Sequence, residues 1–160
     1  MKLYKKVVIT GCESDGLRGV PYLTRWRLIE SRFGAVYLHK FHRSDGKDLH
    51  DHPWAFASLI LWRGYIEETV CLECQGDGWF VHWAYGQATC ERCGGNGRVR
   101  SKAWPATILF RRPAHTHRVE LIDEKPAWTL IVRGPYVRTW GFWVDGAWES
   151  FKDYFARRGC

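Results

Sequence analysis

His50-Asp51-His52-Pro53-Trp54, answered further on by Pro113-Ala114-His115-Thr116-His117-Arg118, is the stretch from which the fold can be read. Each piece sets two histidines at spacing i, i+2. In an extended strand, side chains two apart point the same way. Two such strands side by side would turn three or four imidazoles on one point. Neutral imidazole is the commonest protein ligand for Zn, Fe, Cu or Ni. The reading is therefore a metal site of His50, His52 and His117, with His115 as a fourth candidate, inside a β-barrel.

The chain around these motifs reads as short strands. Residues 2–10, 22–30 and 35–43 precede the first histidine pair, and 54–62 and 65–70 follow it. Residues 54–62 are apolar on both parities, which suits a strand buried on both faces. Strand signals resume at Val99 and continue over 106–111, 117–122, 127–133 and 137–144. The tail has apolar residues at 148, 151, 154 and 155, which is helical spacing. Arg157 and Arg158 suit the C-terminal end of a helix, and Gly159 suits its stop. The expectation is an all-β jelly-roll barrel with a short C-terminal helix. Ten Trp, seven Tyr and eight Phe fit pleated surfaces and could line a pocket.

Parity assigns the pocket wall. Trp54, Phe56, Ser58 and Ile60 would share the face of His50, while Arg111 would share that of His117. Trp54, Lys40 and Arg111 are the substrate-pocket candidates, with His42, Arg133 and Tyr37 behind them. A Lys or Arg in a barrel would pair with a carboxylate or phosphate.

Residues 71–98 break the strand pattern and read as an insertion into a barrel formed by residues 1–70 and 99–160. Cys71 and Cys74, then Cys90 and Cys93, give C-x2-C-x15-C-x2-C, the spacing of a structural zinc site. Four thiolates close a tetrahedron and leave no position open for chemistry. Residues 79–89, between the pairs, form an arm with several aromatics and His82. The arm would be a recognition surface or simply a metal-stapled loop. Cys12 and Cys160 are expected to be free thiols.

The net charge of +7 is concentrated in residues 1–32 and 99–160, with no Lys/Arg run longer than two. It is compatible with nucleic acid or a small anion as partner, but a soluble basic surface accounts for it as well. The sequence has no apolar run near the length of a membrane span and no leader-like segment after Met1, so a cytoplasmic protein without membrane contact is expected.

The histidine motifs resemble those of the cupin superfamily. Gly46, His50, His52 and Gly64 follow the first cupin motif, and Pro113 with His117 follows the second, over residues 35–70 and 99–144. His50 to Trp54, together with 117–121 and 140–143, is similar to a group of small bacterial and phage cupins with no assigned activity. The motif's usual glutamate is absent, with Phe56 and Ala57 in its place. An all-histidine set resembles cupin thiol dioxygenases, which implies ferrous iron and an oxygenase acting on a small substrate. The same set suits zinc with a bound water, or nickel. Glu67 or Glu68 would then serve as acceptor for an imidazole N–H. The Cys-x-x-Cys-x-Gly-x-Gly repeats at 71–78 and 90–97 resemble the cysteine-rich region of DnaJ-type co-chaperones, with one zinc implied. The alternative to an enzyme is a binding module for a small anion, nucleic acid or a protein partner.

Overall fold

The computed structural model describes residues 2–83 and 86–160. Ala84 and Tyr85 of the arm, and the side chain of His82, lie outside the described residues. The strands are β1 (Lys2–Thr10), β2 (Pro21–Ser31), β3 (Gly34–Phe41), β4 (Leu49–His50), β5 (Phe56–Trp62), β6 (Tyr65–Val70), β7 (Trp79–His82) and β8 (Gly86–Thr89). They continue as β9 (Arg98–Ala103), β10 (Ile108–Arg111), β11 (His117–Leu121), β12 (Ala127–Arg133), β13 (Gly141–Val144) and β14 (Ala147–Ser150), before helix α1 (Phe151–Arg158).

Two six-stranded sheets form the body, in the orders β1-β2-β3-β12-β5-β10 and β14-β13-β4-β11-β6-β9. The strand pairings of both sheets are antiparallel, as in a jelly roll. Alternation decides what each strand gives to the space between the sheets. On β11, His117, Val119 and Leu121 are buried while Arg118 and Glu120 are less so. The main core joins Ile60 of β5 and Ala127 of β12 to Tyr65, Ala103, Val119 and Leu121 of the other sheet. Burial of such side chains contributes about 1.5–3 kcal/mol each.

The hairpin β7–β8 stands as a separate two-stranded sheet at the tip of the β6–β9 pair. Below it the four cysteine side chains form their own buried cluster.

Two expectations need correction. Residues 147–150 are strand, and the helix starts at Phe151, not at Trp148. Asp145 and Gly146, with φ of 49° and 85°, make a tight turn that folds β14 back on β13. Ser150 then caps the helix by accepting the amide hydrogen of Asp153. Secondly, Cys12 and Cys160 are joined in a disulfide and are not free thiols. The amide of Glu13 donates to the carbonyl of Gly159 at 3.1 Å, and Arg158 pairs with Asp15, so the two cysteines are brought together.

Candidate metal centre and its cavity

The first histidine stretch owes its shape to the residue between the histidines. His50 and His52 project inward, so the buried Asp51 projects the other way. Its carboxylate accepts the amide of Gly141 at 2.9 Å and the indole N–H of Trp148 at 3.2 Å, and pairs with Arg138 at 2.8 Å. Gly141 has to lack a side chain here, because a Cβ would overlap the carbonyl of Glu149 and the Trp148 ring. Beyond the strand, the amide of His52 donates to the carbonyl of Pro113 at 3.0 Å, tying the two histidine stretches together.

His117 enters from β11, where it pairs with His50 on one side and Thr69 on the other. The rings of His50, His52 and His117 lie 5.0 Å apart, centroid to centroid, in all three pairs. The Nε2 atoms of His52 and His117 are 2.8 Å apart. Each of the three histidines offers a nitrogen within 4.8 Å of the others. Two nitrogens bound to one metal at about 2.1 Å would lie about 3 Å apart at a right angle, so the donor set fits such an ion.

The other nitrogen of His117 is also engaged. Its Nδ1–H donates to Oε1 of the buried Glu67 at 2.6 Å, leaving Nε2 as the free donor atom. Glu67 also takes hydrogen bonds from Arg111 (Nε at 2.9 Å, with Nη2 also bonded) and meets Nε2 of His115 at 3.3 Å. His115 thus sits against Glu67, with its ring 5.3 Å from that of His117, and these three side chains form a second group that could hold a metal. Burial by itself would raise the Glu67 carboxyl, but the bonds from Arg111, His115 and His117 hold it well below the usual carboxylate range.

Burial also lowers His50, to about 4, with Asp45 only partly offsetting it, and burial likewise lowers His52 well below its ordinary value. Both imidazoles are therefore neutral near pH 7, the form that binds metal. Asp45 lies 3.8 Å from Nδ1 of His50 and is held by the Val119 amide and the Tyr22 hydroxyl.

The cluster opens on a cavity of about 1130 Å³ between the sheets. Trp54, Tyr37 and Phe56 line it, as does Tyr136. Lys40 and Arg111 do not, and both pocket assignments are corrected. On β3 the cavity-facing residues are Tyr37, His39 and Phe41, so Lys40 and His42 take the opposite parity. Lys40 lies over the Trp128 ring and His42 is bonded to Thr24. Arg111 is turned to Glu67. Arg133 stacks on Trp54 and pairs with Glu30. His39 and Arg25 are among the cavity residues that the sequence reading does not name; the alternation of β3 points to the first.

The four cysteines make a second group. Sγ–Sγ separations are 3.8 Å for Cys71–Cys90 and 3.7 Å for Cys74–Cys93. Zinc bound by four sulfurs at about 2.3 Å in a tetrahedron requires about 3.8 Å. The two knuckles grip each other reciprocally. The amide of Cys71 donates to the carbonyl of Gly97, and that of Cys90 to the carbonyl of Gly78, both at 2.8 Å. Gly78 and Gly97 have positive φ, and a Cβ on either would overlap a backbone carbonyl of the other knuckle. Burial pushes the Cys90 thiol up to about 12. At Cys74 the amides of Gly78 and Gly76 overcome burial and bring it to about 7.

No family model and no curated protein matches the chain at the level of sequence. Solved structures do match its fold. A cupin-2 domain from Rhodospirillum rubrum aligns over 96% of this chain and 80% of its own, with TM-score 0.54 and 12% identity. Fe(II)-HppE in complex with an alternative substrate, (S)-1-HPP, aligns over 81% of this chain at TM-score 0.52 and 8% identity. Streptomyces albus HEPD, with 2-hydroxyethylphosphonate and Fe(II) bound, aligns over 83% at TM-score 0.50 and 12% identity. The chain spans 56% of the HppE chain and 24% of the HEPD chain. The protein has a cupin fold, and among the described residues three groups could each hold a metal: the four cysteines, His50 with His52 and His117, and Glu67 with His115 and His117, the last two sharing His117.

Proposed function

We propose that the protein is a metal-dependent cupin oxygenase in which His50, His52 and His117 hold ferrous iron and a small organic substrate occupies the adjoining cavity. The convergence of three imidazole nitrogens at the wall of a large cavity carries this reading. Three neutral ligands leave a divalent ion its full charge, and three ligands leave positions free for other molecules. Iron bound there would supply the activation of dioxygen. The protein's own residues would orient and exclude. Glu67 fixes the ring of His117, Asp51 fixes the stretch bearing His50 and His52, and the aromatic wall keeps water from the substrate. That HppE and HEPD are solved with Fe(II) on this fold is consistent with iron.

The same donor set also suits zinc, which would point to hydrolysis. The cysteines are assigned to a second, structural zinc. Nothing among the described residues supports nucleic acid or a protein as partner. The test is metal content by element analysis of the wild type and His52→Ala. The expected result is one zinc and one iron in the wild type, with only the zinc left in the variant. A single metal in both proteins would end the proposal. Zinc lost at the histidine site would turn it from oxygenase to hydrolase.

A further inference from the structure

Arginines lining the cavity are Arg25, Arg43, Arg138 and Arg158. Arg138 is paired with Asp51 and Arg158 with Asp15. Arg43 makes an exposed bond to the carbonyl of Pro21. Arg25 is different. It is half-buried, its Nε donates to Nε2 of the buried His39 at 2.9 Å, and no carboxylate pairs with it among the described residues. His39 is its cross-strand partner on β3, so the bond is built into the register of the sheet. The ring of Tyr37 lies 5.0 Å below the guanidinium. With Nε taken, the edge formed by Nη1 and Nη2 has no hydrogen-bond partner among the described residues.

A half-buried guanidinium with no counterion leaves a charge uncompensated in the folded protein, and its free edge is a fork matched to two oxygens. We propose that Arg25 is the anion-binding group of the cavity and that the substrate is a small monocarboxylate with an apolar or aromatic body. This deepens the oxygenase reading and rests on it for the word substrate, though not for the binding site. Lys47 and Lys152 also line the cavity, but from exposed positions, and Arg43 bonds at its exposed end; Arg25 is the cation held against the aromatic wall, and it matches one negative charge. A doubly charged phosphate ester would bring a second charge that Arg25 alone does not match, and Asp45 also lines the cavity. The body has a continuous wall to lie on. Tyr37 packs with Ile131 and Phe56, and the Phe56 ring is 4.7 Å from that of His52. A molecule anchored at Arg25 would thus extend along Tyr37 and Phe56 to the histidines.

The probes are benzoate, methyl benzoate and phenyl phosphate, titrated calorimetrically into the intact, metal-loaded protein. Benzoate should bind, and both other compounds should bind at least several-fold more weakly. Arg25→Met should weaken benzoate by about 10- to 100-fold, the scale of a lost charge-assisted pair. Arg25→Lys keeps the charge without the fork, guards against a Met variant that fails to fold, and should fall between the two. Arg43→Met should bind as the wild type does. The proposal is overturned by no benzoate binding to the wild type, by equal or tighter binding of the ester or the phosphate, or by an unchanged affinity in either Arg25 variant. His52→Ala separates the two readings. Benzoate bound by a His52→Ala protein that lacks the second metal supports the anion site, whatever the metal's identity. Metal retained by an Arg25→Lys protein that binds benzoate like the wild type overturns the anion site and leaves the metal centre standing.

Discussion

Glu67 reaches His117, His115 and Arg111 at once, and through His117 it chooses which imidazole nitrogen is left for a metal. Glu67→Gln keeps the shape but replaces the carboxylate with an amide. Metal affinity at the histidines should fall roughly 10- to 100-fold, as measured by competition with a chelator, while the zinc at the cysteines is retained. The same residues give the metal-free protein a pH-dependent stability. The folded value of His50 is about 4, below the ordinary 6.5, so between those values the unfolded chain takes a proton that the native site refuses. Stability is therefore complete above pH 6.5 and declines as the pH falls towards 4, by roughly 3 kcal/mol from His50 alone. Glu67 acts in the same direction lower down: its contribution is present above the usual carboxylate value and is lost as the pH falls below it. Urea midpoints of the chelated protein across this range would show the decline, and a flat profile would contradict it. The histidine pairs were legible because period-two spacing is local. The partnership of Glu67 with His117 was foreseen only as one of two options. Which glutamate faces the ring depends on the β6–β11 register, and the sequence does not print a register.

The arm is an element without a core of its own. Val81 and Trp83 are 77% and 93% exposed, so the hairpin β7–β8 depends on the cysteine cluster beneath it. Cys90→Ser should abolish metal binding at the cysteines and strip hydrogen-exchange protection from residues 79–82 and 86–89, while amides of β11 and β12 stay protected. Gly97→Ala should weaken the arm by roughly 1–3 kcal/mol, because it forces a side chain into a positive-φ position already filled by the facing knuckle. Cysteine spacing made this element readable in advance. The strands were readable wherever one parity was apolar. They misled where both parities carried chemistry: Tyr37, His39 and Phe41 alternate with Leu38, Lys40 and His42, and side-chain character alone did not say which set faced in. The turn at Asp145-Gly146 did have a local signature, the Asp-Gly pair of a tight hairpin. The helical spacing of 148, 151, 154 and 155 obscured it, because Trp148 belongs to a strand and only the rest to the helix.

On the scale of the whole molecule, two sheets meet over a cavity, and the ends of the described chain are clasped by Cys12 and Cys160, 148 residues apart in sequence. No spacing rule could pair them, since their meeting depends on the docking of α1 beside residues 13–15. Cys12→Ser with Cys160→Ser should cost about 2–4 kcal/mol of stability, most of it through a freer unfolded chain, and calorimetric melting of the double variant would measure it. Wild type in a reducing buffer should melt at the variant's temperature. The bond also alters what a protease can do. From residue 12 to residue 160 the covalent path is a loop, so one cut in the exposed arm divides the backbone and releases nothing. Such a nicked molecule would run as a single band on a denaturing gel without reductant and as two fragments with it.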